Sequence, residues 1–220
     1  MDEKKKLKEY IIKTFYRYNK ISNRINALKG YHTKFGKGDF YQSFPLLEIE
    51  GQRPTDYRIE QYGVKNELDP SKSVLDIGCN IGFFDISLSE YARCIDGIEY
   101  NRLLVKLGNK ICKKLHINNV RFSQADFKKW VKRNTNKYDV VFSFAVHLWI
   151  GMEIEDYCKA LYGLLSEGGR LFFESQKINQ FDPQFDDYVN NLVKLGLRIV
   201  REGRIKDDGV IERRWLLFEK

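Results

Sequence analysis

The chain has 220 residues, 43% of them hydrophobic and 31% charged, and carries a formal net charge of +8. This length and composition suit one well-buried domain with a small extension. No apolar run approaches the roughly 20 residues that cross a bilayer, and the charged amino terminus has no apolar signal core, which argues against a membrane-spanning or secreted protein. The four cysteines are scattered and, with the three histidines, form no metal-ligand spacing. We therefore expect a cytoplasmic protein with reduced thiols and no metal site.

A basic amphipathic helix is predicted at the start of an extension that covers residues 1–63. Apolar residues recur at spacings of three and four from about Glu3 to Leu28, which places them on one helical stripe. Residues 1–37 hold nine Lys and two Arg against three acidic residues, so their net charge of +8 equals that of the whole chain. Three roles remain open for this helix: packing on the core with a solvated basic face, binding a polyanion such as RNA or an anionic glycan, or lying on a membrane surface.

Aromatic residues are frequent between residues 31 and 63. They could form a lid that excludes water from a reacting group, or a small accessory core beneath the helix. Arg53 and Arg58 lie in the most polar part of this segment and could bind an anionic ligand group, or pair on the surface with the acids of residues 50–60. Tyr41 is a further candidate ligand contact.

The stretch Val74–Phe84 is the most informative part of the chain and reads Val-Leu-Asp-Ile-Gly-Cys-Asn-Ile-Gly-Phe-Phe. Its apolar pair, acid, two glycines and amphipathic continuation predict a strand, a tight loop and a helix, the opening unit of a doubly wound α/β sheet. Gly78 and Gly82 lack a Cβ, so the loop can turn sharply and a ligand can approach its backbone closely. A dinucleotide fingerprint would need glycine where the chain has Asn80 and Phe83. Asparagine, however, tolerates a left-handed backbone in such a turn.

Acidic residues end the next two predicted strands. Glu99 ends the strand over residues 94–99 and follows Asp76 by 23 positions, close to the separation at which a doubly wound fold places a carboxylate on a ribose diol. It could instead cap the following helix. Asp126 ends the third strand and could also cap a helix that begins at Phe127. Both acids are therefore candidate ligand-binding groups.

A fourth and a fifth strand are predicted over residues 138–145 and 169–175. A helix with Asp182 as its N-cap follows. Two further strands, over residues 197–205 and 212–218, are joined by an Asp-Gly pair that predicts a hairpin turn. A terminal antiparallel hairpin argues against the purely parallel sheet of the dinucleotide-binding dehydrogenases.

Over about residues 70–220 the chain resembles the class I (Rossmann-like) S-adenosylmethionine-dependent methyltransferases. Their first motif is written as hydrophobics, Asp, x, Gly, x, Gly, x, Gly, and Asn80 stands at the middle glycine. The resemblance implies an α/β fold with a doubly wound seven-stranded mixed sheet, order 3-2-1-4-5-7-6, the last strand antiparallel, with an N-terminal helical extension. It divides the chain into residues 1–63, with the basic helix and an aromatic lid or substrate segment, and residues 64–220, the donor-binding domain.

The resemblance also implies S-adenosyl-L-methionine as the cofactor, with Glu99 on its ribose and Asp126 at its adenine amino group. Arg53 and Arg58 would face the donor carboxylate or an anionic group of the acceptor. Trp149, which follows the fourth strand, joins Tyr41 as a candidate acceptor contact. The residues implied in donor binding are Asp76, Gly78, Cys79, Asn80, Gly82, Phe83, Glu99, Tyr100, Asp126, Phe127, Ser143 and Phe144.

In this family the end of the fourth strand lies beside the transferred methyl group. Here it lacks the Asn/Asp-Pro-Pro-aromatic sequence typical of methylation on base amino groups, and the chain has no Pro-Cys pair for methylation of base C5. His147 could take a proton near neutral pH, as oxygen methylation commonly requires, or could be a hydrogen-bonded packing residue. The favoured function is methylation of a hydroxyl on a small molecule or glycan. The alternatives are an RNA (tRNA) methyltransferase that uses the basic helix, and a non-catalytic donor-binding partner protein.

Overall fold

The computed structural model describes residues 3–28, 40–176, 182–207 and 212–220, with the backbone alone for residues 19 and 21–28. Within them the helices are α1 (Glu3–Leu28), α2 (Thr55–Tyr62), α3 (Phe83–Ser87), α4 (Arg102–Lys114), α5 (Phe127–Trp130), α6 (His147–Ile150), α7 (Ile154–Leu164) and α8 (Phe185–Lys194). The strands are β1 (Phe40–Gln42), β2 (Gly51–Arg53), β3 (Ser73–Ile77), β4 (Cys94–Glu99), β5 (Val120–Gln124), β6 (Tyr138–Phe144), β7 (Leu165–Glu174), β8 (Arg198–Ile205) and β9 (Arg213–Glu219). Three short 3₁₀ helices lie at Pro45–Leu47, Val64–Glu67 and Ser89–Tyr91.

Seven strands form one mixed sheet in the order β5-β4-β3-β6-β7-β9-β8. Neighbouring strands from β5 to β7 are parallel, and β9 runs antiparallel to both β7 and β8. Numbered within this sheet alone, the order is 3-2-1-4-5-7-6 with the last strand antiparallel, so the predicted topology is confirmed. All five residues of the central strand β3 are buried, as expected of a parallel strand with both faces covered.

Helices pack on both faces of the sheet and enclose two hydrophobic cores. One core joins α1, α4 and the segment over residues 40–68 to one face of the sheet. The second core joins α7 and α8 to the opposite face. In such a doubly wound sheet the carboxyl ends of the parallel strands meet at one edge, where ligands bind. The predicted donor-binding residues all lie in the last residues of β3, β4 and β6, in the segments that follow β3, β4 and β5, or at the first residue of α3 or α5.

Helix α1 spans the predicted residues, Glu3–Leu28, and lies against the core. Leu7, Ile11 and Phe15 are buried, and the ring of Phe15 stacks on that of Phe40 with centroids 4.0 Å apart. The rest of the predicted apolar stripe, beyond residue 20, lies outside the described side chains. Packing therefore occupies the apolar face of α1 as far as it is described. No described helix is both long enough and apolar enough to span a membrane.

The terminal strands β8 and β9 form the predicted antiparallel hairpin. Its predicted turn at Asp208-Gly209 lies outside the described residues. Helix α8 begins at Phe185, three residues after the predicted N-cap Asp182. The carbonyl of Asp182 accepts a hydrogen bond from the Phe185 N–H at 3.1 Å, so a turn precedes the helix. The side chain of Asp182 contacts His147 instead of capping α8.

Candidate functional site

The loop after β3 contains three residues with a left-handed backbone. Gly78, Asn80 and Gly82 have φ values of 78°, 59° and 85°. The Asn80 side chain supports this conformation, because its Oδ1 accepts a hydrogen bond from the Ile81 N–H at 2.9 Å. The Asn80 N–H donates to Glu99 Oε2 at 3.1 Å and so ties the loop to the end of β4. The turn therefore forms with asparagine at the middle glycine position, as the sequence predicts.

The two loop glycines are required by packing within the protein. A Cβ at Gly82 would lie 1.9 Å from Phe122 Cζ, and a Cβ at Gly78 would lie 2.6 Å from Val146 Cγ2. Protein side chains thus occupy the side of each glycine on which a Cβ would project, and close approach of a ligand to the loop backbone stays a prediction. The side chains that fill this space are Phe122 of β5 and Val146, which follows β6.

Two carboxyl groups are buried together beside this loop. Asp76 in β3 and Asp85 in α3 are 4% and 0% exposed, and neither carboxylate oxygen of Asp85 has a hydrogen-bond partner among the described residues. Burial raises the pKa of Asp76 to about 7. Burial, together with the charge of Asp76, raises the pKa of Asp85 well above its usual range. Two buried carboxyl groups whose pKa values are both raised do not both ionise readily, so near neutral pH the pair carries at most one negative charge.

Glu99, at the end of β4, is oriented by backbone N–H groups. Its Oε1 accepts a hydrogen bond from Asn101 at 2.8 Å, and its Oε2 accepts the bond from Asn80. Burial raises the pKa of this carboxyl, and these hydrogen bonds oppose the rise. Tyr100 beside it is 75% exposed, so β4 ends at the protein surface. Glu99 is thus held in place and remains partly accessible, as a group that receives ligand hydroxyls must be.

Asp126 caps α5, as one of its two predicted roles requires. Its Oδ1 accepts a hydrogen bond from the Lys129 N–H at 3.3 Å. The side chain is partly exposed, with Oδ2 at 3.9 Å from Lys129 Nζ. Phe127, the first residue of α5, is buried, and its ring meets that of Tyr157 with centroids 5.4 Å apart. Capping leaves carboxylate lone pairs for a second partner, so a contact to the donor adenine stays a prediction.

Cys79 and Phe83 lie inside the core beneath the loop. Both side chains are no more than 1% exposed. Burial raises the pKa of the Cys79 thiol well above its usual range, which keeps it protonated. The Phe83 ring stacks on that of Phe44 with centroids 4.6 Å apart. These two predicted donor contacts therefore shape the loop from below, and their side chains do not face a ligand.

The end of β6 is enclosed by aromatic rings. Ser143 is fully buried, with its Oγ 2.9 Å from the Tyr157 hydroxyl, so its side chain points toward α7. Phe144 stacks on Tyr62 with centroids 4.8 Å apart and meets Phe84 at 5.2 Å. The Ser143 hydroxyl is already engaged, and Phe144 has no hydrogen-bonding group. This strand end therefore offers an apolar aromatic wall.

Arg53 is buried in an ion cluster and fits neither of its predicted roles. It is 1% exposed, and its Nη1 and Nη2 donate to Glu174 Oε2 and Oε1 at 3.1 and 2.7 Å. Its Nε donates to Asp207. These partners lie 121 and 154 positions along the chain, far from the acids of residues 50–60. The Tyr41 hydroxyl, 3.2 Å from Arg53 Nη1, also belongs to this cluster.

Arg58 lies beside this cluster and is also 1% exposed. Its guanidinium carbon is 5.0 Å from the ring centroid of Phe84 and 5.4 Å from that of Phe144, and its Nε is 3.5 Å from Asp207 Oδ2. Its Nη1 has no hydrogen-bond partner within the described part of the chain. Burial raises the pKa of Asp76, and the charge of Arg58 opposes that rise. An unpaired N–H on a buried cation is costly, and this position suits an anionic ligand group.

His147, the candidate base, is enclosed by other side chains. Its side chain is 0% exposed, and the rings of Phe173 and Tyr188 lie with centroids at 5.3 and 4.7 Å. Its Nε2 is 3.1 Å from Asp182 Oδ2, and its Nδ1 has no hydrogen-bond partner among the described residues. Trp149, two residues further on, is 75% exposed. This is the geometry of a hydrogen-bonded packing residue, and an acceptor has no visible access to the imidazole.

A family model described as a methyltransferase domain matches residues 68–195, more than half of the chain. The chain belongs to this family. Its membership confirms the predicted class, the S-adenosylmethionine-dependent methyltransferases, and with it the predicted cofactor. No curated protein sequence matches the methyltransferase.

Solved structures similar to the methyltransferase share its fold at low sequence identity. N-methyltransferase NodS from Bradyrhizobium japonicum, in complex with S-adenosyl-L-homocysteine, is 14% identical with a TM-score of 0.58, over 76% of this chain and 88% of NodS. Magnesium protoporphyrin IX methyltransferase ChlM from Synechocystis, with bound S-adenosylmethionine, is 18% identical with a TM-score of 0.58. The match covers 76% of this chain and 77% of ChlM. The bifunctional kinase-methyltransferase WbdD is 16% identical with a TM-score of 0.62. The match covers 82% of this chain and 43% of WbdD. The chain spans about half the length of two further structures, one from Streptococcus mutans (52% and 50%).

The methyltransferase brings its predicted acids to one edge of the sheet but also uses residues that sequence reasoning missed. Glu174 ends β7 much as Glu99 ends β4, and an acid directly after an apolar strand is the signal that could have revealed it. Asp85 lies only three residues after Gly82, where an acid in a short buried helix is a weaker signal. No local pattern marks Asp207, which belongs to the cluster only because the fold brings the hairpin beside α2.

Replacing His147 with alanine should lower the free energy of unfolding by about 3 kcal/mol and leave the rate of methyl transfer within about threefold, because the ring is packed and does not reach an acceptor. The rate should be measured across pH, beside urea unfolding. Trp149→Ala, an exposed neighbour, is the stability control. A loss of rate with unchanged stability, together with an altered pH profile, would show instead that the imidazole acts as a base.

Proposed function

We propose that this methyltransferase transfers a methyl group to a hydroxyl oxygen of a small molecule or glycan. The observation that carries the proposal is the end of β6. Methylation of an amino group calls for acceptors that hold the amino hydrogens, but the Ser143 hydroxyl is engaged by Tyr157 and the Phe144 side chain has no polar atom. The aromatic wall of Tyr62, Phe84 and Phe144 would exclude water from the reacting atoms.

The donor is proposed to lie across the loop of residues 76–82, with its ribose hydroxyls on Glu99 and its adenine beside Asp126. When bound, S-adenosylmethionine supplies an electrophilic methyl group on a positively charged sulfur. Burial raises the pKa of Asp76 to about 7, so a cationic ligand bound beside the loop would favour the ionised form of this carboxyl. Glu99 fits the ribose because it is oriented by the loop backbone and partly accessible.

Arg58 is proposed to hold the carboxylate of the donor. Its Nη1 is buried and has no partner among the described residues, and its positive charge opposes the rise that burial causes in the pKa of Asp76, at the start of the donor loop. A carboxylate there would satisfy the N–H that the protein leaves unpaired. Arg53 is excluded from this role, because Glu174 and Asp207 already occupy its donors.

Catalysis would then rest on positioning. The aromatic wall and the fixed loop would hold the acceptor oxygen in line with the methyl group, which is worth several kcal/mol when the approach is well aligned. The acceptor oxygen would take the methyl group in exchange for its own proton, and that proton would reach solvent when the methylated product leaves the site. His147 takes no part in this step, since it is enclosed on the far side of β6 by α8.

Replacing Glu99 with alanine should weaken donor binding by roughly 10- to 150-fold, the loss of a charge-assisted contact worth about 1.5–3 kcal/mol. Titration calorimetry with S-adenosylhomocysteine measures the change. Asp96→Asn is the matched control, because Asp96 lies on the same strand but pairs with Arg121 at 2.9 Å. Unchanged affinity in Glu99→Ala would show that the ribose binds elsewhere.

The acceptor chemistry is tested with donor labelled on the methyl group and an extract of the protein's own cells. A hydroxyl acceptor gives a methyl ether, which keeps its label through mild alkali. Release of the label as volatile methanol would indicate a methyl ester, and retention of the labelled product on a cation exchanger would indicate a methylated amine. Either result would overturn the hydroxyl assignment. Glu99→Ala serves as the control with weakened donor binding.

A further inference from the structure

Helices α1 and α4 carry a concentrated net positive charge. Helix α1 holds eight Lys and Arg residues against two Glu, and α4 holds five against none. Their combined net charge of +11 exceeds the +8 of the whole chain, so the remaining residues are net acidic. The two helices pack against each other, so this charge is concentrated on one side of the molecule.

Tyr10 and Lys110 mark the contact between the two helices. Lys110 Nζ lies 4.1 Å from the centre of the Tyr10 ring, and its hydrogen bond lowers the pKa of the Tyr10 hydroxyl. Residues three, four and seven positions from these two lie on the same sides of their helices. The exposed cations around the contact, called here the α1–α4 basic surface, are Lys6, Lys13, Arg17, Lys106, Lys110, Lys113 and Lys114.

Ion pairs do not neutralise these cations in the described part of the chain, although Glu9 lies three and four residues from Lys6 and Lys13 on α1. None of the seven forms an ion pair with any residue that the structure describes. Other lysines do: Lys8 lies 3.6 Å from Glu48, and Lys159 lies 3.7 Å from Glu155. A dense group of unneutralised cations repels itself and attracts a polyanion, whose bound counterions are released on association.

The surface suits RNA better than a membrane. A membrane-surface helix needs an apolar face for the lipid, but Leu7, Ile11 and Phe15 of α1 are buried in the protein. Tyr16 is 48% exposed and lies among the cations of α1, three residues after Lys13. An exposed aromatic ring among cations can stack on an unpaired base, which RNA presents and duplex DNA does not. We propose that the α1–α4 basic surface binds RNA.

Fluorescence anisotropy with a labelled single-stranded RNA 20-mer of mixed sequence and the full chain tests this assignment. With about six phosphate contacts, affinity should fall about 300-fold between 50 and 200 mM salt. The triple variant Lys13→Gln, Lys106→Gln, Lys113→Gln should bind about 100-fold more weakly at 0.1 M salt, with a salt slope shallower by about 2. Tyr16→Leu should weaken binding about tenfold through lost stacking.

The matched control removes three exposed lysines elsewhere: Lys132→Gln, Lys159→Gln and Lys194→Gln. It should leave RNA affinity unchanged, and equal weakening would show that only net charge matters. Equal or tighter binding to duplex DNA, heparin or vesicles of anionic phospholipid would also overturn the assignment. RNA binding needs neither the donor nor methyl transfer. The experiment can therefore contradict RNA binding while hydroxyl methylation holds, or support RNA binding while hydroxyl methylation is contradicted.

Discussion

Replacing Glu174 with glutamine is expected to lower the free energy of unfolding by about 3–5 kcal/mol. Glu174 is fully buried and accepts hydrogen bonds from both terminal nitrogens of Arg53 and from the Tyr62 hydroxyl. Glutamine keeps the shape of the side chain but removes its charge, so the buried guanidinium groups of Arg53 and Arg58 lose a counter-charge. Urea unfolding at neutral pH measures the loss.

The same variant should change how stability depends on pH. Burial alone would raise the pKa of Glu174, but the charge and hydrogen bonds of Arg53, with Arg58 and Tyr62, outweigh burial and hold that pKa below its usual value of 4.5. A carboxyl with a depressed pKa stabilises the fold above its unfolded value and loses that contribution as pH falls through the folded value. The difference between wild type and Glu174→Gln should therefore be largest near neutral pH and shrink below about pH 4.

Glu202→Gln is the matched control for this prediction. Glu202 also pairs with an arginine, Arg214, at 2.7 Å, but the two side chains are 56% and 36% exposed. An exposed pair is solvated before and after the change, so its loss should cost less than about 1 kcal/mol. Equal losses in the two variants would contradict the view that burial makes the Arg53–Glu174 pair important.

Replacing Gly82 with alanine is expected to destabilise the protein by about 3 kcal/mol or more and to abolish tight donor binding. The added Cβ would lie 1.9 Å from Phe122 Cζ and 2.2 Å from Cε1, at a backbone φ of +85° that L-residues rarely adopt. Phe122 is buried in β5 and cannot swing aside, so the donor loop must move. Thermal unfolding and titration with S-adenosylhomocysteine measure the two effects.

Gly151→Ala separates backbone strain from the clash. Gly151 also has a positive φ, +67°, but nothing lies within 4 Å of its added Cβ. It should cost only about 1 kcal/mol and leave donor affinity unchanged. Adding Phe122→Leu to Gly82→Ala should recover part of the loss through a favourable coupling energy. If Gly82→Ala costs no more than Gly151→Ala, the packing account of the loop is wrong.

The sheet was predictable from the sequence because local patterns repeat along it. Each parallel strand contains apolar residues, three of the five strands end in Glu or Gln, and the last two strands of the sheet pair as a hairpin. The spacing of apolar residues likewise predicted the bounds of α1. The left-handed turn at Asn80 followed from backbone sterics alone. All of these are properties of neighbouring residues.

The inside of the site was not predictable in the same way. Arg53 meets partners 121 and 154 positions away, so no local pattern identifies them. Phe122 and Val146, which explain the loop glycines, come from other strands. Asp182 carries a good N-cap signal, but its side chain contacts His147 because the fold brings the two together. Tertiary packing decided each of these positions.

A crystal structure of the protein with bound S-adenosylhomocysteine would test the donor site most directly. We expect the ribose hydroxyls within about 2.5–3.2 Å of the Glu99 carboxylate. The adenine should lie beside Asp126 and the carboxylate should be on Arg58 Nη1. A ligand bound away from the loop of residues 76–82, or a ribose that does not contact Glu99, would contradict the proposed arrangement.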